Sequence, residues 1–231
     1  MSGLFDDETP EPAPRAPAGG QQRSRALIGT IVVLIAAFFL VSVFTGVWTD
    51  RLWFSSVGYS SVFTKVLGTK VLLFLVFGLL MAVVVGANVV VAYRFRPLFR
   101  PASAEQVNLD RYREVIDPLR TWLLLGVAVI LGLFAGGSGS GQWRQFLLWR
   151  HQVPFGTTDA YFKKDVGFYV FELPWLHYLL NFGMAVTVLS LVAAAVVHYL
   201  FGGIRLQAKS DRLSGAAQAQ ISVLAGFFVL F

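Results

Sequence analysis

The chain has 231 residues, of which 56% are hydrophobic and only 14% charged, with a mean hydropathy of +0.65 and a formal charge of +6. A soluble domain carries about 25% charged residues, so this composition excludes an ordinary soluble fold. The basic residues flank apolar runs and form no stripe on a polar module, so nucleic acid is not an expected partner. Zero cysteines exclude disulfides, thiolate metal sites and cysteine nucleophiles within these residues.

Residues 1–25 are rich in Pro, Ala and Gly, acidic first and then basic, and read as a disordered cytoplasmic tail. The next apolar run, 26–48, is longer than the roughly 7–15 residues of a signal-peptide core and lacks a small-residue cleavage site, so it reads as an uncleaved signal anchor. A helix needs about 20 apolar residues to cross the hydrocarbon core. Runs at 71–93, 119–137 and 175–201 supply three further spans. A fifth, 216–231, stops in mid-run without a closing charge or aromatic anchor, which reads as truncation by the chain end. The fold class expected is therefore all-α, a polytopic helical membrane fragment of four full spans plus a truncated fifth, over residues 26–231.

Between these runs lie two outer loops, 50–70 and 136–174. The first, with Trp53 and Tyr59, predicts one or two short helices along the membrane surface, broken near Gly58. In the second span, Ala82 and Gly86 have the small-xxx-small spacing of close helix packing, and Asn88, its one strongly polar residue, reads as interhelical glue. Residues 94–120 form a polar loop with six arginines, in which 108–114 can make a helical turn. Gly132 and Gly136 give a GxxxG spacing at the end of the third span, and the glycines to Gly141 read as its flexible end. The third span is the weakest, because its dense apolar core, 122–135, is in the range where a re-entrant segment is also possible.

The longer outer loop holds the candidate recognition residues. Residues 141–152 predict a short amphipathic helix, with Trp143, Phe146 and Leu147 on one face. Asp159 and Asp165, with Glu172, are its carboxylates, placed to cap turns or pair with Lys163, Lys164 or Arg150; a catalytic or cation-binding pair is the sharper alternative. Residues 165–173, with Phe168 and Tyr169, predict an extended or irregular segment, because β-formers dominate and Leu173 precedes Pro174, which opens the fourth span. No cofactor or metal is indicated: His177 and His198 lie about 32 Å apart along one helix, and no HExxH spacing occurs. The glycine run lacks the Lys-Ser/Thr of a phosphate loop.

Twelve of the 19 basic residues fall on segments that an inside N-terminus places in the cytoplasm, against seven outside, so the positive-inside bias predicts a cytoplasmic N-terminus.

Two stretches, DRLWFSSVGYSSVF at 50–63 and FGTTDAYFKKDVGFYVFELP at 155–174, resemble signatures of the uncharacterised protein family 0182, bacterial and largely actinobacterial multi-pass membrane proteins. HYLFGGIRL at 198–206 is similar to a third signature. Ala160 departs from the family pattern, which has proline after the aspartate. The resemblance implies about seven spans followed by a large extracytoplasmic domain, so that the partners of this chain are the lipid bilayer and the missing C-terminal spans and exported domain. It implies no established activity and no catalytic residues. The function expected is a membrane-embedded module that anchors or assembles that domain; the alternatives are a transporter or channel component and an outer-leaflet enzyme.

Overall fold

The computed structural model describes residues 19–97, 104–205 and 212–231. Most of the expected tail, 1–18, lies outside the described residues, but 19–25 are helical. Six α-helices make up the described chain: α1 (Gly19–Ser56), α2 (Ser60–Arg94), α3 (Ala104–Gly141), α4 (Trp143–Arg150), α5 (Leu173–Leu200) and α6 (Gly215–Leu230), with a π-helical turn at Phe168–Glu172. The β pairings among described residues are two isolated bridges. Four segments are long and apolar enough to cross a membrane: Leu27–Ser56, Ser60–Arg94, Ile116–Gly141 and Phe168–Leu200. In lipid every backbone N–H and C=O needs an internal partner, and the helix is the form that a single charge-free run can take. α6, with 16 residues, is apolar but shorter.

The chain divides into two compact units, Met1–Phe63 and Thr64–Phe231. In the first, the apolar part of α1 buries none of its side chains; Leu34 and Phe38 are 62% and 75% exposed. An apolar surface on this scale is stable against lipid and not against water. The chain breaks where expected, at Gly58, whose φ of 79° lies in the left-handed region open to glycine. The expected surface helices do not form as separate elements. Residues 49–56 continue α1 and residues from Ser60 onward are already α2, because nothing in either flank stops the helix except the turn itself.

The second unit is organised by α2. Its Gly78 backs onto Gly132 of α3: a Cβ on Gly78 would lie 2.9 Å from the Gly132 carbonyl oxygen, and one on Gly136 would lie 2.7 Å from that of Phe74. The GxxxG of the third span is thus a helix contact surface. On α2, the matching small residues are Gly78 and Ala82, one turn before the expected Ala82 and Gly86, and Gly86 has open space in front of it. The glycine run is not a flexible end. α3 stays helical to Gly141, since Gly139 receives the Phe77 ring and the missing side chains are what let α2 come close. At its other end α3 starts at Ala104 and runs through Pro118, so part of the expected arginine-rich loop is helix.

Three buried clusters tie the unit together. Phe77 packs edge-on to Tyr178 at 5.0 Å and Phe182 at 4.7 Å, while Trp175 receives Phe146 and Trp149 of α4. Further along, Met81, Val85, Ala135 and Val186 join α2, α3 and α5. Ala92, Ala194 and Leu224 then join α2, α5 and α6. At the end of α2, the Tyr93 ring has the guanidinium carbons of Arg96 and Arg120 at 4.3 and 5.0 Å and Phe201 edge-on at 5.0 Å.

Candidate functional site

The α4–α5 connection carries most of the residues singled out in the sequence. α4 is the expected short helix, and Trp143 at its start lies against Lys70 and Arg144, with cation-to-ring distances of 5.5 and 5.2 Å. Beyond it the chain doubles back. Val166 N–H donates to the Thr157 carbonyl and Asp159 N–H to that of Lys164, forming a hairpin-like knuckle whose tip holds Lys163 at a φ of 55°.

Both aspartates serve this knuckle. Asp165 accepts the N–H groups of Phe155 (3.0 Å), Gly156 (2.9 Å) and Gly167 (2.7 Å). These donors, Phe155 first, hold its carboxyl below the usual value of 3.8. Gly167 is needed here, because a Cβ would meet the Asp165 carboxylate at 2.8 Å. Asp159 accepts from Tyr161 and Phe162 N–H at 3.1 and 2.7 Å, a side-chain turn typical of aspartate, and from the Tyr169 hydroxyl at 3.4 Å. The consequence is a tip that presents aromatic side chains: Tyr161 is 89% and Phe162 77% exposed.

The segment after the knuckle corrects the expectation of an extended strand. Val166 and Gly167 are already helical, and Phe168–Glu172 form a π turn leading into α5, closed by Leu173 N–H donating to the Phe168 carbonyl. Leu173 is αR (φ −56°, ψ −43°) despite preceding proline. Pro174 lacks an N–H and its ring would strike the carbonyl four residues back; widening the turn removes both conflicts. Phe168 and Tyr169 lie edge-on to each other at 5.3 Å, with Lys164 over Phe168. Asp159, Asp165, Phe168 and Tyr169 are therefore brought together, and Pro174 lies in the first turn of α5, which follows them. Trp143 belongs to the neighbouring aromatic cluster. Trp53 and Tyr59 lie in the other unit, both exposed, where Trp53 stacks edge-on to Phe54 and the Tyr59 carbonyl accepts from Val62 N–H at the start of α2.

A second polar site runs through the spans and was not assembled from the sequence. Gln220 of α6 donates its amide to the Asn88 carbonyl (2.9 Å) and side-chain oxygen (3.2 Å) of α2. Its own oxygen lies 3.0 Å from Nε2 of His198 on α5. Because the Gln220 nitrogen is fixed by a carbonyl acceptor, its oxygen must accept, so neutral His198 carries its proton on Nε2 and leaves Nδ1 bare. That nitrogen is buried with no partner among the described residues, against Gly203, where a Cβ would come within 2.8 Å. His198 is 1% exposed, enclosed by protein in the last turn of α5. The signal that could have found this site was the set of three amide and imidazole side chains in otherwise apolar runs. Among the described residues no group of three or more His, Cys, Asp or Glu could hold a metal.

Four helices long and apolar enough to cross a bilayer, one of them with nothing buried in its apolar window, define a multi-span helical membrane protein. The chain belongs to the Uncharacterised protein family (UPF0182), whose profile matches residues 27–231. A UPF0182 protein of Nocardioides sp. (strain ATCC BAA-499 / JS614) is 63% identical over 230 residues, covering 100% of this chain and 23% of the relative. UPF0182 protein SCO5204 of Streptomyces coelicolor is 50% identical over 221 residues, 95% of this chain and 22% of that protein. In Frankia casuarinae, UPF0182 protein Francci3_3781 is 46% identical over 208 residues, 90% and 20% respectively. The chain thus spans about a fifth to a quarter of the length of these curated relatives. No solved structure matches it.

Proposed function

We propose that these residues are the membrane-embedded module of a longer envelope protein, anchoring and orienting an extracytoplasmic domain from the bacterial inner membrane. The observation that carries this reading is the state of the two aspartates. Both are engaged by backbone N–H groups of their own loop, so the most plausible reactive pair serves as a scaffold that holds Tyr161 and Phe162 outward. Such a tip suits contact with lipid headgroups or with a domain resting above them. The length of the relatives supports the reading, since most of each lies beyond the matched segment. The basic-residue bias supports a cytoplasmic N-terminus, with the α4–α5 loop outside.

Alkaline phosphatase fused after Phe231 tests the delivery of following sequence to the outside. Four crossings from an inside N-terminus, with α6 beginning a fifth, predict an active fusion there and an inactive one after Arg205. The reverse pattern would remove the reading. A transport role is the second reading, favoured by the buried chain of His198, Gln220 and Asn88, because polar side chains at membrane depth often line a substrate path.

A further inference from the structure

A groove of about 730 Å³ opens along the second unit, walled by α2 and α6 and floored by α5. On α2 it is lined by residues from Leu80 to Phe95 at helical spacing, and on α6 by one face from Ala216 to Phe231. Fifteen residue steps of helix make that wall about 22 Å long. Its floor combines Phe182 and Val186 with the smaller Gly183, Thr187 and Ser190, the Phe231 ring lying against Gly183, and among the described residues no charged side chain lines it. The walls remain open to the surroundings, with Val84 36% and Val223 59% exposed.

Two polar groups at the groove are short of partners. The Asn88 side-chain amide has two N–H groups and donates one of them, to the Val84 carbonyl. The Ser190 hydroxyl has no partner among the described residues, but at 0% exposure it is sealed beneath the floor, so Asn88 is the group an incoming side chain can reach. Lipid tails offer nothing to such groups, whereas a neighbouring helix with a polar side chain does, and small residues are what allow its backbone close. The relatives also carry more than three quarters of their length outside the matched segment, so the same polypeptide has ample chain to supply that helix.

We propose that the α2–α5–α6 groove is the seat of a further membrane-spanning helix from the part of the polypeptide outside these 231 residues, presenting a hydrogen-bond acceptor to Asn88. This rests on the reading of the chain as a module of a longer protein. The test is photocrosslinking in the full-length protein expressed from its own locus, with p-benzoylphenylalanine in place of Val84 or Val223, and in place of Val229, which is 82% exposed and does not line the groove. The two groove positions should each give an intramolecular adduct at monomer mass, mapped to a peptide outside residues 1–231, several-fold above the yield at position 229. Two positions on different helices keep the test valid if one variant fails to insert. Adducts with lipid, adducts at dimer mass, or equal yields at all three positions would overturn the groove assignment and leave the module reading intact. A reading frame that stops at Phe231 would overturn both.

Discussion

Replacing Gly136 and its neighbour Gly137 by alanine, one at a time, should move stability in opposite directions. A Cβ on Gly136 would lie 2.7 Å from the Phe74 carbonyl oxygen and 2.9 Å from the Phe74 ring, both well inside ordinary contact. Backbone and ring must therefore give way, and α2 and α3 must separate. Overpacking of this kind costs about 1–3 kcal/mol. Alanine returns about 0.5–1 kcal/mol of helix propensity. Gly136→Ala should thus destabilise by about 1–2 kcal/mol. Gly137 is also helical but has nothing within 4 Å of its would-be Cβ. There only the propensity gain remains, so Gly137→Ala should stabilise by about 0.5–1 kcal/mol. Thermal unfolding of the purified protein in detergent, followed by tryptophan fluorescence, reads both. If Gly136→Ala melts at or above the temperature of Gly137→Ala, the close glycine contact between α2 and α3 is wrong.

The buried polar chain makes a second prediction: Gln220→Leu strands the His198 N–H and should cost about 1–2 kcal/mol, with a coupling to His198→Leu of about 0.5–1.5 kcal/mol in a double-mutant cycle. Strict additivity would show that the two side chains do not meet. In the α4–α5 loop, the carboxyl of Asp165 is held below 3.8, so its contribution to loop stability is complete above that pH and is lost as pH falls through the lower folded-state value. Hydrogen exchange at Phe155, Gly156 and Gly167, relative to intrinsic rates, should accelerate over that acid range in the native protein. Asp165→Asn should exchange faster already at neutral pH and lack the acid step; an identical acid profile in this variant would refute the assignment.

The spans were legible because each contains a predominantly apolar run about long enough to cross a bilayer, a property of local sequence alone. Gly58 and α4 were legible for the same reason, one from backbone freedom and the other from the spacing of Trp143, Phe146 and Leu147. What failed depended on partners far away in the chain. The glycines up to Gly141 resemble a flexible end until Phe74, Phe77 and Gly78 are placed against them. Phe168–Glu172 has the composition of a strand, but the helix that Pro174 opens extends backward through a widened turn. Gln220 reaches Asn88 across 132 positions, and no local pattern announces that pairing. Asp159 and Asp165 were visible as candidates, and capping of local turns was among the readings; the donors to Asp165, nine and ten positions back, were not.

The central claim is a chain that crosses the membrane in sequence, with the knuckle of Asp159 and Asp165 outside and the α5–α6 connection inside. Because the 231 residues contain no cysteine, Ala160→Cys and Ser210→Cys each introduce a single thiol. In intact cells, a membrane-impermeant maleimide should label the Ala160→Cys protein and spare the Ser210→Cys protein until the membrane is permeabilised. Labelling of Ser210→Cys with protection of Ala160→Cys would contradict the account.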